Sequence, residues 1–123
     1  MRQQVSSGGP YEDMYGYSRV VRVGDQIHVS GTTARPPDLD GDAYRQARAA
    51  LAIIENALQD VGSTLAAVVR TVTYVTEIDD AELVARAHRE IFGDIRPAAT
   101  LVEVTGLLGG ARVEIEAYAV ETP

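Results

Sequence analysis

At 123 residues and 13.2 kDa the chain is long enough to bury one sizeable core and too short for two, so 1–123 reads as a single domain. A net charge of −7 repels phosphate backbones, and the eleven basic residues, all arginine, are scattered rather than gathered in a stripe, which argues against nucleic acid as a partner. The absence of cysteine and lysine excludes a disulfide, a thiolate nucleophile, a cysteine zinc site and Schiff-base lysine chemistry.

The first sixteen residues read as a loop-rich segment: Gly8-Gly9-Pro10 interrupts any early element, and the polar stretch 11–16 is assigned to loop. The β-branched runs 18–23 and 26–30 are separated by Gly24-Asp25, a two-residue connection that predicts an antiparallel hairpin. A Pro-, Gly- and Asp-rich loop follows over 31–41. From Asp42 apolar residues recur at three- and four-residue steps (Ala43, Ala47, Ala50, Leu51, Ile54, Ala57, Leu58, Val61), which predicts a five-turn amphipathic helix closed by Gly62.

Ser63 is read as the cap of a short turn before a strand over 68–76, with Val69, Thr71, Thr73 and Val75 on one face. Asp79 with Glu82 predicts a capping box for a second helix over 80–92, whose apolar positions are Leu83, Val84, Ala87 and Ile91. Two strands, 99–104 and 112–120, are joined by a glycine-rich turn at 105–111. The order β-β-α-β-α-β-β predicts an α+β two-layer sandwich, a mixed sheet with both helices on one face. The other face is left uncovered, and packing against copies of the chain is expected there.

Chemistry concentrates on the last strand. Arg112, Glu114 and Glu116 alternate with Val113, Ile115 and Ala117, so one face is charged and the other apolar. On an open sheet such carboxylates are ionised and idle; inside a cleft, desolvation raises their pKa toward the range of a general base. His28 and His88 are sixty residues apart and lack the spacing of paired metal ligands, so no metal site is predicted. Gly106, Gly109 and Gly110 have no Gly-Lys-Ser/Thr and no following helix, and read as a turn. The N-terminus has no apolar core of signal-peptide length, and no stretch approaches the ~20 apolar residues of a membrane span, so a soluble, cytoplasmic protein is expected.

Tyr17-Ser18-Arg19, the Val23-Gly24-Asp25 turn, Val29-Ser30-Gly31, Val61-Gly62, the run 71–76 and Val113-Glu114-Ile115-Glu116-Ala117 together resemble the RidA/YjgF family of reactive-intermediate deaminases over about 17–120. The resemblance implies a chorismate-mutase-like fold, a homotrimer and small-molecule clefts between subunits, with no cofactor. In the family's active members a glutamate activates water and an arginine holds the substrate carboxylate. By position the glutamate falls on Glu114, and the pocket tyrosine and serine on Tyr17 and Ser30.

The arginine position falls on Ala99, where the family's Pro-Ala-Arg-Ser reads Pro97-Ala98-Ala99-Thr100. The family's pocket asparagine is replaced by Ala85, its aromatic one turn on by His88, and its cysteine by Leu101. The resemblance thus implies a divergent member that differs from a standard 2-imino acid deaminase and that hydrolyses or tautomerises a reactive imine, enamine or related metabolite lacking a carboxylate or presenting it differently, with Glu114 activating water. Glu114 is the candidate base, and Tyr17, Ser30, Gly31, Ala99, Thr100, Leu101 and Arg96 are the candidate substrate contacts. Two further readings stay open: Arg96 or Arg112 in place of the missing arginine or in a surface ion pair, and a trimer whose cleft binds a ligand without turning it over.

Overall fold

The computed structural model describes residues 1–122. Its elements are β1 (Arg2–Val5), α1 (Glu12–Tyr15), β2 (Val20–Val23), β3 (Gln26–Thr32), α2 (Ala43–Asp60), β4 (Val68–Val75), α3 (Ala81–Phe92), β5 (Ala98–Glu103) and β6 (Val113–Val120). The strands form one sheet in the order β1-β2-β3-β6-β4-β5, antiparallel except for the parallel β4–β5 pair. The α+β two-layer sandwich with a mixed sheet is therefore present.

The hairpin closes as its residues dictate: Val23 pairs with Gln26, and Gly24 takes the positive φ of +59° that a primed turn demands. Helix α2 begins at Asp42, whose carboxylate accepts the Arg45 amide at 2.9 Å, and ends before Gly62 at φ +79°. Ala43, Ala47, Ala50 and Ala57 line its buried face beside Leu51, Ile54 and Leu58. These pack on Val20, Ile27, Val29, Ile115, Ala117 and Ala119 of the sheet, and α3 adds Val84, Ala87 and Phe92.

Several expectations are corrected. The N-terminal segment carries a strand, since Arg2 to Val5 pair with Val23 to Val20 through the backbone although the side chains are mostly polar and exposed. The stretch assigned to loop contains the single turn α1, held by buried Glu12, which accepts from the Ser7 hydroxyl at 2.7 Å and the Gly9 amide at 2.9 Å and lies 3.8 Å from Arg19. Val69 is exposed, because a register shift between Val68 and Arg70 turns it off the face that Thr71, Thr73 and Val75 share.

The capping box of Asp79 and Glu82 does not form. Asp80 occupies the N-cap of α3 without a side-chain cap, and its carboxylate accepts from Arg112 at 2.9 to 3.2 Å. Ser63 caps no turn either; its hydroxyl donates to Glu121.

Candidate functional site

The sheet has two faces, and the predicted site residues are divided between them. The cross-strand row Val29, Ala117, Thr71 and Ala99 faces the helices, as does the row Ile115, Thr73 and Leu101. Glu114, across from Tyr74, which is across from Val102, belongs to the open face.

Glu114 borders a hollow of about 340 Å³ with Tyr11, Tyr15, Tyr17, Ser30, Gly31 and Leu108. Its carboxylate lies against Gly31, where a Cβ would stand 2.7 Å from Oε2 and 2.9 Å from Cδ, so only glycine leaves it room. The close approach arises at a break in the β3–β6 register between Val29 and Thr32. No hydrogen bond to the carboxylate is made among the described residues, and no oxygen of it is sealed in without a partner. Burial raises the Glu114 pKa above the usual value of 4.5; neighbouring Glu116 adds to this, and Arg19 opposes it.

Arg112 is not the cation that bears on Glu114, because its guanidinium is engaged by Asp80. Arg19 holds that place. It is buried, donates to the Gly31 carbonyl at 2.7 Å, the Thr32 hydroxyl at 2.9 Å and the Tyr17 hydroxyl at 3.2 Å, and sits 5.4 Å from the Tyr17 ring centroid. The Ser30 hydroxyl donates to the Ser18 carbonyl at 2.7 Å, which fixes its orientation at the edge of the hollow.

Glu116 is occupied. It accepts from the Tyr74 hydroxyl at 2.6 Å and from Tyr118, and the bond to Glu116 is the main reason the Tyr74 phenol is pushed up to about 12. Of the two carboxylates on this face, Glu114 alone is free of such partners among the described residues.

Ala99, Thr100, Leu101 and Arg96 line a different cavity, of about 480 Å³, between α3 and β5. Ala85 and His88 lie in the same wall. His88 Nε2 is 2.8 Å from the buried Thr71 hydroxyl, its ring centroid is 4.7 Å from that of Phe92, and burial lowers its pKa. Arg96 has φ +55°, with its amide bonded to the Phe92 carbonyl at 2.8 Å. The left-handed conformation closes the C-terminus of α3 and brings the arginine to the cavity.

Within one chain the two groups of residues do not meet. Ala99 is three residues from Val102 along β5, and Val102 is two strands from Glu114, so ~10 Å along the sheet and ~10 Å across it separate them, on opposite faces. The sequence did not reveal Tyr11, Tyr15 and Leu108 as walls of the Glu114 hollow, nor Arg89 as a wall of the Ala99 cavity. Among the described residues no cluster of histidine and carboxylate side chains is arranged to hold a metal, and no helix is long and apolar enough to cross a membrane.

The Endoribonuclease L-PSP family matches residues 11–121. An uncharacterized protein of Streptomyces coelicolor is 36% identical, over 94% of this chain and 91% of its own. The human 2-iminobutanoate/2-iminopropanoate deaminase is 30% identical, over 87% of this chain and 81% of its own. The crystal structure of Rv2704 from Mycobacterium tuberculosis, described as a member of the YjgF/YER057c/UK114 family, superimposes with a TM-score of 0.92 at 48% identity, covering 98% of this chain and 100% of that one. The family match over most of the length, the shared fold and these relatives together establish that the chain belongs to the RidA/YjgF family.

Proposed function

We propose that the protein hydrolyses reactive imine or enamine metabolites in clefts between copies of the chain, with Glu114 activating the water. The observation that carries this is the Glu114 carboxylate, half-buried, raised in pKa by burial and unpartnered beside a hollow bounded by Tyr17, Ser30 and Gly31. Once ionised, it accepts a proton from water as the oxygen bonds to the imine carbon. That proton passes to the nitrogen as the C=N π bond opens; the carbinolamine then gives its hydroxyl proton to the nitrogen, the C–N bond breaks to release ammonia, and the carbonyl product remains.

Two arguments support assembly of the cleft from more than one chain. The Glu114 hollow and the Ala99 cavity lie on opposite faces of one sheet, so they complement each other only across a subunit boundary. The open sheet face also carries half-buried Tyr74, Glu116 and Tyr118 with no element over them among the described residues. A homotrimer fits both and the family resemblance. The net charge of −7 does not favour an RNA substrate, whatever the family's description suggests.

A second reading, a trimer that binds a metabolite without turnover, rests on Ala99 and Ala85, which offer neither charge nor hydrogen bond in the cavity wall. The test is ammonia release from freshly generated 2-iminopropanoate by wild type, Glu114→Gln and Ala99→Arg. Turnover that Glu114→Gln lowers by roughly 100-fold or more supports the hydrolase. Its pH profile should rise through an apparent pKa above 4.5, and that limb should vanish in Glu114→Gln. Silence in all three proteins, with ligand binding retained, establishes the binding reading instead.

A further inference from the structure

Arg89 and Arg96 are the charged side chains of the α3–β5 cavity, and neither has an ion-pair partner among the described residues. Neighbouring charges on the same helix are committed elsewhere. Arg86 lies 3.9 Å from the Tyr44 ring centroid, and Glu90 accepts from the Tyr44 hydroxyl at 2.6 Å and lies 3.6 Å from Arg48. Among the described residues no carboxylate lines the cavity. Burial disfavours the charged form of His88, so the positive charge there comes from the two guanidiniums.

The remaining wall is mainly apolar: Val84, Ala85, Phe92, Pro97, Ala99 and Leu101. Two of these, Ala85 and Ala99, are small and exposed, and leave the mouth of the cavity open above buried Val84 and Phe92. The volume of about 480 Å³ falls within the range that accommodates a small organic ligand. A guanidinium at such a site favours a planar carboxylate that it can hold through two parallel N–H bonds.

We propose that this cavity binds carboxylates with a bulky apolar body, the acid group held by Arg96 with Arg89 and the body lying over Ala85, Ala99 and Phe92. This rests on the imine-hydrolase reading and names its substrate class: imino acids with aromatic or large branched side chains. The carboxylate anchor has moved from strand β5, where Ala99 stands, to the turn and helix beside it. The anchor Arg96 is placed by the backbone, through its positive φ and its amide bond to Phe92.

The test is calorimetric binding of phenylpyruvate, the stable keto-acid counterpart of an aromatic imino acid, to the full chain. Pyruvate, neutral phenylacetone and inorganic phosphate serve as comparators. Phenylpyruvate should bind about tenfold or more tighter than each of the three. Arg96→Asn, which tolerates the left-handed backbone, should weaken phenylpyruvate about tenfold while leaving phenylacetone unchanged, and Arg96→Lys should restore part of the loss. Arg89→Gln should weaken it several-fold.

Glu114→Gln should lose turnover yet keep the preference for phenylpyruvate over all three comparators, so a failed hydrolase with an intact carboxylate site is distinguishable from a failed site. The proposal is overturned by absent binding, by equal binding of phenylacetone or pyruvate, or by phosphate binding more tightly. Unchanged affinity in a folded Arg89→Gln, Arg96→Asn double variant also overturns it.

Discussion

Replacing Gly31 by alanine tests whether the position of the Glu114 carboxylate matters. The new Cβ would stand 2.7 Å from Oε2, 2.9 Å from Cδ and 3.3 Å from Cγ of Glu114, where 3.4 Å begins ordinary contact. The carboxylate must therefore retreat by the difference, about 0.7 Å, and misplacement on the order of 1 Å costs a reaction roughly 100-fold. A loss of about 30- to 100-fold in kcat/KM follows. Stability should change by less than about 1 kcal/mol, because Gly31 has no positive φ, the obstructing atoms end a flexible side chain, and alanine lowers the entropy of the unfolded chain. The assay is turnover of freshly generated imino acids beside a urea titration of both proteins. Activity within about twofold of wild type, in a protein where Glu114→Gln is inactive, refutes the reasoning.

Two predictions concern the fold. His88 has a lowered pKa in the folded state, so the unfolded chain takes up its proton first, and stability falls as the pH drops below the usual value of 6.5. His88→Gln should flatten that part of the pH dependence, read as the urea midpoint between neutral and mildly acidic pH. Ile54, fully buried on α2 against the sheet, should cost about 2–5 kcal/mol when replaced by alanine, measured by the same titration.

Where a residue's environment depends on its own element, the sequence was legible. Alternation from Val113 to Ala119 marked β6 and put Glu114 on the face opposite Ile115, and the spacing from Ala43 to Leu58 marked α2 and its buried side. Where a distant partner decides, it was not. Strand β1 has little apolar pattern and exists because β2 offers an edge. Helix α1 depends on Arg19 and Ser7 receiving Glu12, and nothing local marks an acid and an arginine seven residues apart as partners. The capping box predicted from Asp79 and Glu82 gave way to Asp80 at the N-cap, whose carboxylate is taken by Arg112, an ion pair across thirty-two positions.

The site divided in the same way. Glu114, Tyr17, Ser30 and Gly31 border one hollow, and Ala99, Thr100, Leu101 and Arg96 another cavity, although the resemblance grouped them together. Their separation onto two faces follows from the strand register, in which Ala99 lies opposite Thr71 and Glu114 opposite Tyr74. Arg89 escaped notice because its significance depends on having no partner, a property only the folded chain displays.

That division has a genetic consequence for the proposed assembly. A gene copy that has lost Glu114 and another whose whole Arg96 cavity is destroyed would each encode a protein inactive by itself. Co-expressed, the two products would form mixed oligomers in which an intact Glu114 hollow of one chain faces an intact Arg96 cavity of the other. Complementation between two null alleles would then recover part of the activity, whereas two alleles damaged on the same face would recover none.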